Sequence, residues 1–432
     1  MNKKVLIITY YWPPSGGIGV HRCLKFAKYL NLYGWTPVIY TALNAHYSYL
    51  DETNNKDIPK GITILKHKIK EPFSAFKFLS GRQKNDSSNP VYARDKKQSI
   101  TDKFAIWIRG NFFIPDARAL WINPSVKYLS KYLKENHVDA ILSDGPPHTN
   151  TIIACKLSKK FNIPWLADFQ DPWTQVDYYK LFPLTRWADK KHRRLEQETF
   201  KIAKKITIVS PTWKNALESI GAKNVDVLYW GFDEEDFLDM IPIKNANEFV
   251  ISHAGLLGVD RLPDNLFKVL AELKNELPDF AKKLKIKFTG MIDFSVLDCI
   301  DRFGLNENLE IIDLKRKGAL QLTMDSDLLL LPLNKSDNIM GRIPGKLFEQ
   351  LISRNPILVL GPYGSDVQYI VESVNAGKSF DYSETESVKF YIKQVFNKEI
   401  SIMNSDLSEF SVKKQVEKLA FLLNLISIKP NL

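Results

Sequence analysis

The chain has little cysteine: three residues in 432, Cys23, Cys155 and Cys299, far apart and in no metal-ligand spacing. That excludes a disulfide framework and a structural zinc site as organising features, and it makes a reducing cytoplasm the expected setting. Long apolar runs are also missing. No stretch approaches the roughly 18 uncharged apolar residues of a membrane span. The apolar run from Val5 to Thr9 is too short for a signal-peptide core and has no small-residue cleavage site after it. A soluble or peripheral protein is the expectation, cytoplasmic or on the inner face of the cell membrane. No Asp-x-Asp metal motif sits at a strand end, so no metal and no cofactor are expected.

What is present suits two ordinary cores. Apolar residues make up 44% of the chain and aromatics 12%, and 432 residues exceed one typical domain. Apolar runs alternate with helical patterns: Val5–Thr9, a helix from about Val20 to Tyr33, then Pro37–Thr41, Asp139–Leu142, Trp165–Ala167, Ile206–Val209 and Val225–Leu228. The alternation restarts at Phe249–Ser252 and continues through Ile286–Thr289, Leu309–Ile312, Leu328–Leu331 and Pro356–Leu360. Strands alternating with helices imply parallel, doubly wound sheets. The expected fold is α/β, two facing Rossmann-like domains with the active site in the cleft between them. The expected boundaries are residues 1–235 for the first domain and 246–405 for the second. A helix over 406–432 is expected to pack back toward the first domain. The acidic and then polar stretch Asp233–Glu248 reads as the linker.

The formal net charge is +11. It fits a Lys-rich composition, an anionic membrane surface or phosphate-bearing substrates; no nucleic-acid motif is recognisable. The excess is concentrated over about 66–110. There, eleven Lys or Arg face four Asp or Glu, and Phe73, Phe76, Phe78 and Leu79 lie among them. This basic insertion reads either as a solvated loop or as a surface lying on anionic lipid.

Two stretches carry chemistry. After the first strand, Gly16, Gly17 and Gly19 precede a helix, where glycines allow close backbone approach and the helix start favours an anion. A dinucleotide fingerprint is disfavoured: Arg22 stands where the third glycine would be, and no acid lies near 37–42 for a ribose. The second stretch is Ile343–Leu351. Lys346 and Glu349 are three apart on an expected helix, so they share a face. The lysine can meet a diphosphate, and the carboxylate can accept from both ribose hydroxyls. The same spacing also fits an exposed ion pair.

This last stretch, reading Pro-Gly-Lys-Leu-Phe-Glu, resembles the donor-site helix of family 4 glycosyltransferases, whose fold is called GT-B. Glu349 matches the second acid of their Glu-x7-Glu signature, and Gly341 stands where the first would be. Asp337, Asn338 and Arg342 are the nearby candidates for its role. The Trp12–Gly17 loop, Pro115-Asp116 with Trp121, Asp144–Thr149 and Pro164–Trp173 resemble one subgroup of that family, with Gln170 where the subgroup has Arg. Tyr229–Phe237 resembles the family's motif at the domain junction.

The resemblance implies a glycine turn at Gly255 and a phosphate-binding arginine at Arg261, although Arg261 can also form a surface ion pair with Asp260 or Asp264. The family's following lysine is replaced by Leu266 and Phe267, which leaves Lys346 as the substitute. It also implies His148 beside the transferring sugar, although His148 can equally cap the next helix. Asp168 and Asp171 would orient an acceptor, although Asp171 can equally cap a turn.

The implied activity is retaining transfer of a sugar from a nucleoside-diphosphate sugar to a saccharide or lipid-linked acceptor. A capsule, O-antigen or exopolysaccharide unit would be the product. The donor site would comprise Gly16, Gly17, Gly255, Arg261, Lys346 and Glu349, with His148, Arg261 and Lys346 catalytic. The rivals are a nucleotide-sugar epimerase of similar fold and a catalytically silent nucleotide-sugar-binding protein.

Overall fold

A computed structural model describes residues 2–71, 100–400, 402 and 405–428. Phe73, Phe76, Phe78 and Leu79 lie outside the described residues. The chain forms two compact units. One comprises Met1–Tyr229 with Gln415–Leu432, the other Trp230–Lys414.

The first unit is built on seven parallel strands: β1 (Lys3–Ile8), β2 (Trp35–Ala42), β3 (Thr63–His67), β4 (Ala140–Gly145), β5 (Trp165–Phe169), β6 (Lys205–Ile208) and β7 (Val225–Val227). Their order is β3-β2-β1-β4-β5-β6-β7. The apolar centres of β1, β4 and β5 are buried on both faces, as helices on either side of a parallel sheet require. The order reverses between β1 and β4, which pair from Val5–Ala140 to Ile8–Ser143. Beyond the carboxyl ends of these strands lie Tyr10–Gly19 and Pro146–His148, the expected ligand position of an open α/β sheet.

The second unit repeats the plan with six strands: β8 (Phe249–Ala254), β9 (Leu284–Thr289), β10 (Leu309–Ile311), β11 (Leu328–Pro332), β12 (Ile357–Leu360) and β13 (Gly377–Phe380). Their order is β10-β9-β8-β11-β12-β13, all parallel. Its core gathers Phe267, Leu270, Phe288 and Leu358 from helices and sheet. The reversal falls between β8 and β11, so the loops after these two strands border the switch point.

The acidic stretch read as a linker is partly structured. Glu234–Asp236 is a short 3-10 turn, and Phe237 and Met240 bury against Leu320. The first helix spans Ile18–Tyr29 and tightens into a 3-10 turn over Leu30–Tyr33, ended by Gly34 at φ 78°. No helix among the described residues is long and apolar enough to cross a membrane.

Candidate functional site

In the second unit the site is assembled at the end of β8. Gly255 has φ +119°, and its N–H donates to Thr289 O at 2.8 Å. A Cβ there would fall 3.1 Å from Lys346 Nζ. At Gly290, a Cβ would fall 2.6 Å from Gly255 O. Two loops therefore pass at backbone distance and leave room for a lysine.

Lys346 is the first residue of the helix Lys346–Ser353, and Glu349 lies one turn on. The ammonium donates to Ala254 O at 3.0 Å and lies 3.1 Å from His253 Nε2. His253 Nδ1 faces Leu330 O at 3.0 Å. A carbonyl can only accept, so Nδ1 carries the proton and Nε2 accepts from the lysine. Burial, then the charge of Lys346, pushes His253 down to about 3, so the ring is neutral. Burial, then repulsion by Arg261, lowers Lys346 to about 7, with Glu349 acting against the shift. Arg261 stands on the loop that follows β8, the strand whose last carbonyl, Ala254 O, holds Lys346.

Arg261 ends the 3-10 turn Val259–Arg261 and pairs with Asp260 at 2.8 Å. Asp260 O in turn accepts Lys335 N at 2.7 Å. Leu266 and Phe267 are buried in the core of the unit. Their helix, Asp264–Glu276, cannot present a cation from those positions, and Lys346 provides one. Gly341 is buried within the turn Ile339–Gly341, and Asp337, Asn338 and Arg342 flank it on the loop after β11.

Glu349 is bound by a residue the sequence reading did not single out. Its carboxylate accepts from Arg316 Nη1, while Arg316 Nη2 donates to Asp236 Oδ2 at 3.0 Å. Arg316 begins the helix Arg316–Asp325. Beside these residues is a cavity of about 50 Å³, walled in part by Arg316, Thr323, Lys346, Glu349 and Gln350. Gln350 is 4% exposed, and its Oε1 has no partner among the described residues. A cavity with such an acceptor is polar enough to hold water or a hydroxyl. The structure thus brings Gly255, Arg261, Lys346 and Glu349 to one region and adds His253, Arg316 and Asp236.

In the first unit, Gly16 packs under Tyr49, whose ring a Cβ would strike at 2.1 Å, and Gly17 takes φ 79° just before the first helix. His148 is buried, stacked on Trp173 at 4.4 Å and set edge-on to Phe169. Burial lowers it to about 3, so it is a neutral imidazole. Its side chain does not cap the helix Thr149–Phe161. Asp116 does, accepting from Thr149 N at 2.8 Å and Thr149 Oγ1 at 2.9 Å.

Asp168 differs from the expected acceptor ligand. It is fully buried, it takes Arg22 Nε and Nη2 at 2.5 and 2.7 Å, and it accepts Thr207 Oγ1 at 2.6 Å. Its carboxylate is committed inside the unit because Arg22, on the first helix, points at the end of β5. Arg22 also donates to Leu228 O and Tyr229 O, so the pair ties β5 to the chain after β7. Asp171 is half-buried on the loop after β5.

Comparison with known proteins adds to this geometry. Residues 90–236 match the model of Glycosyltransferase Family 4. No curated protein sequence matches the chain. Among solved structures, sucrose-phosphate synthase from Thermosynechococcus elongatus superposes with a TM-score of 0.55 at 11% identity, covering 98% of this chain and 96% of that one. WaaG, a glycosyltransferase involved in lipopolysaccharide biosynthesis, gives a TM-score of 0.53 at 12% identity, over 98% and 96% of the two chains. A putative UDP-N-acetylglucosamine 2-epimerase from Listeria monocytogenes gives 0.57 at 12% identity, over 99% and 98%. The chain has the GT-B fold. In GT-B terms, its two units are the two Rossmann-like domains that the alternation of strands and helices implied.

Proposed function

We propose that this GT-B chain is a glycosyltransferase that takes its sugar from a nucleoside diphosphate and retains the anomeric configuration. The observation that carries the reading is Lys346 held on Ala254 O at the end of β8, with Arg261 on the loop that follows that strand and Glu349 one helical turn away. The family match over residues 90–236 supports it from the other unit.

Transfer breaks the bond between the anomeric carbon and the diphosphate oxygen. Positive charge develops on the sugar ring, and the electron pair leaves with the diphosphate. Lys346 and Arg261 stabilise that leaving charge in place of a divalent metal. Arginine grips two phosphate oxygens with its planar fork, while lysine meets them as a point charge. Glu349 accepts from the ribose hydroxyls, and the glycine turn at Gly255 admits the phosphate to the backbone. The acceptor hydroxyl attacks from the face the diphosphate leaves, and a leaving phosphate oxygen takes its proton.

The first unit binds the acceptor. Gly16 and Gly17 at its first helix favour an anionic group there, the neutral His148 hydrogen-bonds the transferring sugar, and Asp171 orients the acceptor hydroxyl. The acceptor is a saccharide or lipid-linked saccharide of a cell-surface polysaccharide, in keeping with WaaG's part in lipopolysaccharide biosynthesis. A net charge of +11 suits a protein working in the cytoplasm at the inner, anionic face of the membrane.

The test is a thermal-shift screen of nucleoside diphosphates and their sugars, since a ligand that binds only the folded form raises the melting temperature by mass action. One diphosphate family should stabilise the chain, and Lys346→Ala should abolish that shift; no shift with any of them removes the reading. The similarity to a 2-epimerase favours a second reading, conversion of the donor sugar itself. Incubation with UDP- or GDP-sugar and no acceptor separates the two: an epimer accumulates only under the second.

A further inference from the structure

Lys346 and Glu349 lie one turn apart and attract each other, yet they do not pair. The ammonium is held by His253 and Ala254 O. The carboxylate is held by Arg316, 33 residues earlier in the chain. One guanidinium therefore bridges two acids of the same unit, Glu349 and Asp236. The two ends of that bridge differ. The Asp236 side chain is 7% exposed, and its turn is packed through Phe237 and Met240 onto Leu320, Met324 and Ile352. The Glu349 side chain is 23% exposed and lines the cavity. Packing fixes one end of Arg316, and the other end faces the space a ligand would enter.

We infer that Arg316 is a positioning residue of the donor site and sets its preference for ribose over 2′-deoxyribose. The inference rests on the donor-site reading above. An ionised carboxylate has about four lone-pair sites on two oxygens. Arg316 takes Oε1, which leaves the lone pairs of Oε2 for a second donor. Anchored on Asp236, the guanidinium holds Glu349 away from Lys346 and turns the remaining oxygen toward a ribose diol. Without it, Glu349 closes the i,i+3 pair with Lys346. That closure removes the acceptor for the ribose and neutralises a cation of the diphosphate site in one movement.

The experiment is calorimetric titration of the full chain with UDP, GDP and ADP, each beside its 2′-deoxy counterpart. The proteins are the wild type, Arg316→Met, Arg316→Lys, Asp236→Asn and Lys346→Ala. The wild type should prefer the ribonucleotide about tenfold, the worth of one hydrogen bond to a charged acceptor. Arg316→Met should cut the preference below about twofold while weakening the ribonucleotide about tenfold. Arg316→Lys and Asp236→Asn should fall between, and they decide the matter if Arg316→Met does not fold. A merely structural role would weaken both nucleotides equally and leave their ratio alone. That result, or an unchanged ratio in all three variants, overturns the inference. Loss of binding in Lys346→Ala tests the donor-site reading separately. If the wild type binds none of the six, that reading fails and this one fails with it.

Discussion

Arg22 and Asp168 are a fully enclosed, two-pronged ion pair. Removing one partner leaves a buried, uncompensated charge, which costs about 3–5 kcal/mol. Arg22→Ala should therefore lower the melting temperature by roughly 10 °C, read by calorimetry, and a change of only a degree or two would contradict the structural role. Asp144 is a second buried acid, raised to about 7 by burial first, with neighbouring Asp168 also raising it. The sign follows from linkage. Below about 4 the carboxyl is protonated in both folded and unfolded chain. Between about 4 and 7 only the unfolded chain ionises, so stability falls as pH rises through that window and then levels off. Melting curves should show this decline in the wild type and a shallower one in Asp144→Asn; identical slopes would remove the assignment. Neither feature was legible in the sequence. Asp168 reads as a site residue because an acid at a strand end commonly faces a ligand, and its partner stands 146 residues away on the first helix. Arg316 escaped notice for the same reason, whereas Lys346 and Glu349 were visible because their spacing alone puts them on one helical face.

At the scale of elements, most strands were readable, the edge strands β7 and β10 among them, and the two other edges, β3 and β13, were not. β3 is half-exposed along its length, and β13 is only four residues, Gly377–Phe380. β3 (Thr-Ile-Leu-Lys-His) and β13 (Gly-Lys-Ser-Phe) have neither a sustained apolar run nor an alternation to read. The glycine turn after β8 was legible through its likeness to a family motif, and its geometry explains the need for glycine. Alanine at 255 would combine a backbone strain of about 1–3 kcal/mol with a Cβ 3.1 Å from Lys346 Nζ. Gly255→Ala should weaken nucleoside-diphosphate binding about tenfold or more while costing less stability than Arg22→Ala. Unaltered binding would show that the lysine does not need that space.

For the whole molecule, the duplication of an open parallel sheet fixes where chemistry can occur. Each order reversal leaves two adjacent strand ends whose loops diverge, and the notable side chains gather at those ends. The sequence showed two such domains through the restart of its strand pattern at Phe249. It showed a concentration of positive charge over about 66–110 as well. The proposed membrane contact makes a bulk prediction. Sedimentation with vesicles containing anionic lipid should fall steeply as salt rises from roughly 0.05 to 0.5 M, because screening shortens the reach of surface charge. Binding indifferent to salt would count against it.

The central claim is that Lys346 and Arg261 together hold a diphosphate, and the pH dependence of that binding tests it most directly. Burial pushes Lys346 down to about 7, and a diphosphate favours its charged form. Above pH 7 the affinity of the stabilising nucleoside diphosphate should fall by up to about tenfold per pH unit, with protons taken up on binding. Lys346→Arg keeps the charge throughout and carries the ligand's own titration, so it should lack that decline. Affinity that is flat above pH 7 in the wild type, or unchanged in Lys346→Ala, would contradict the account.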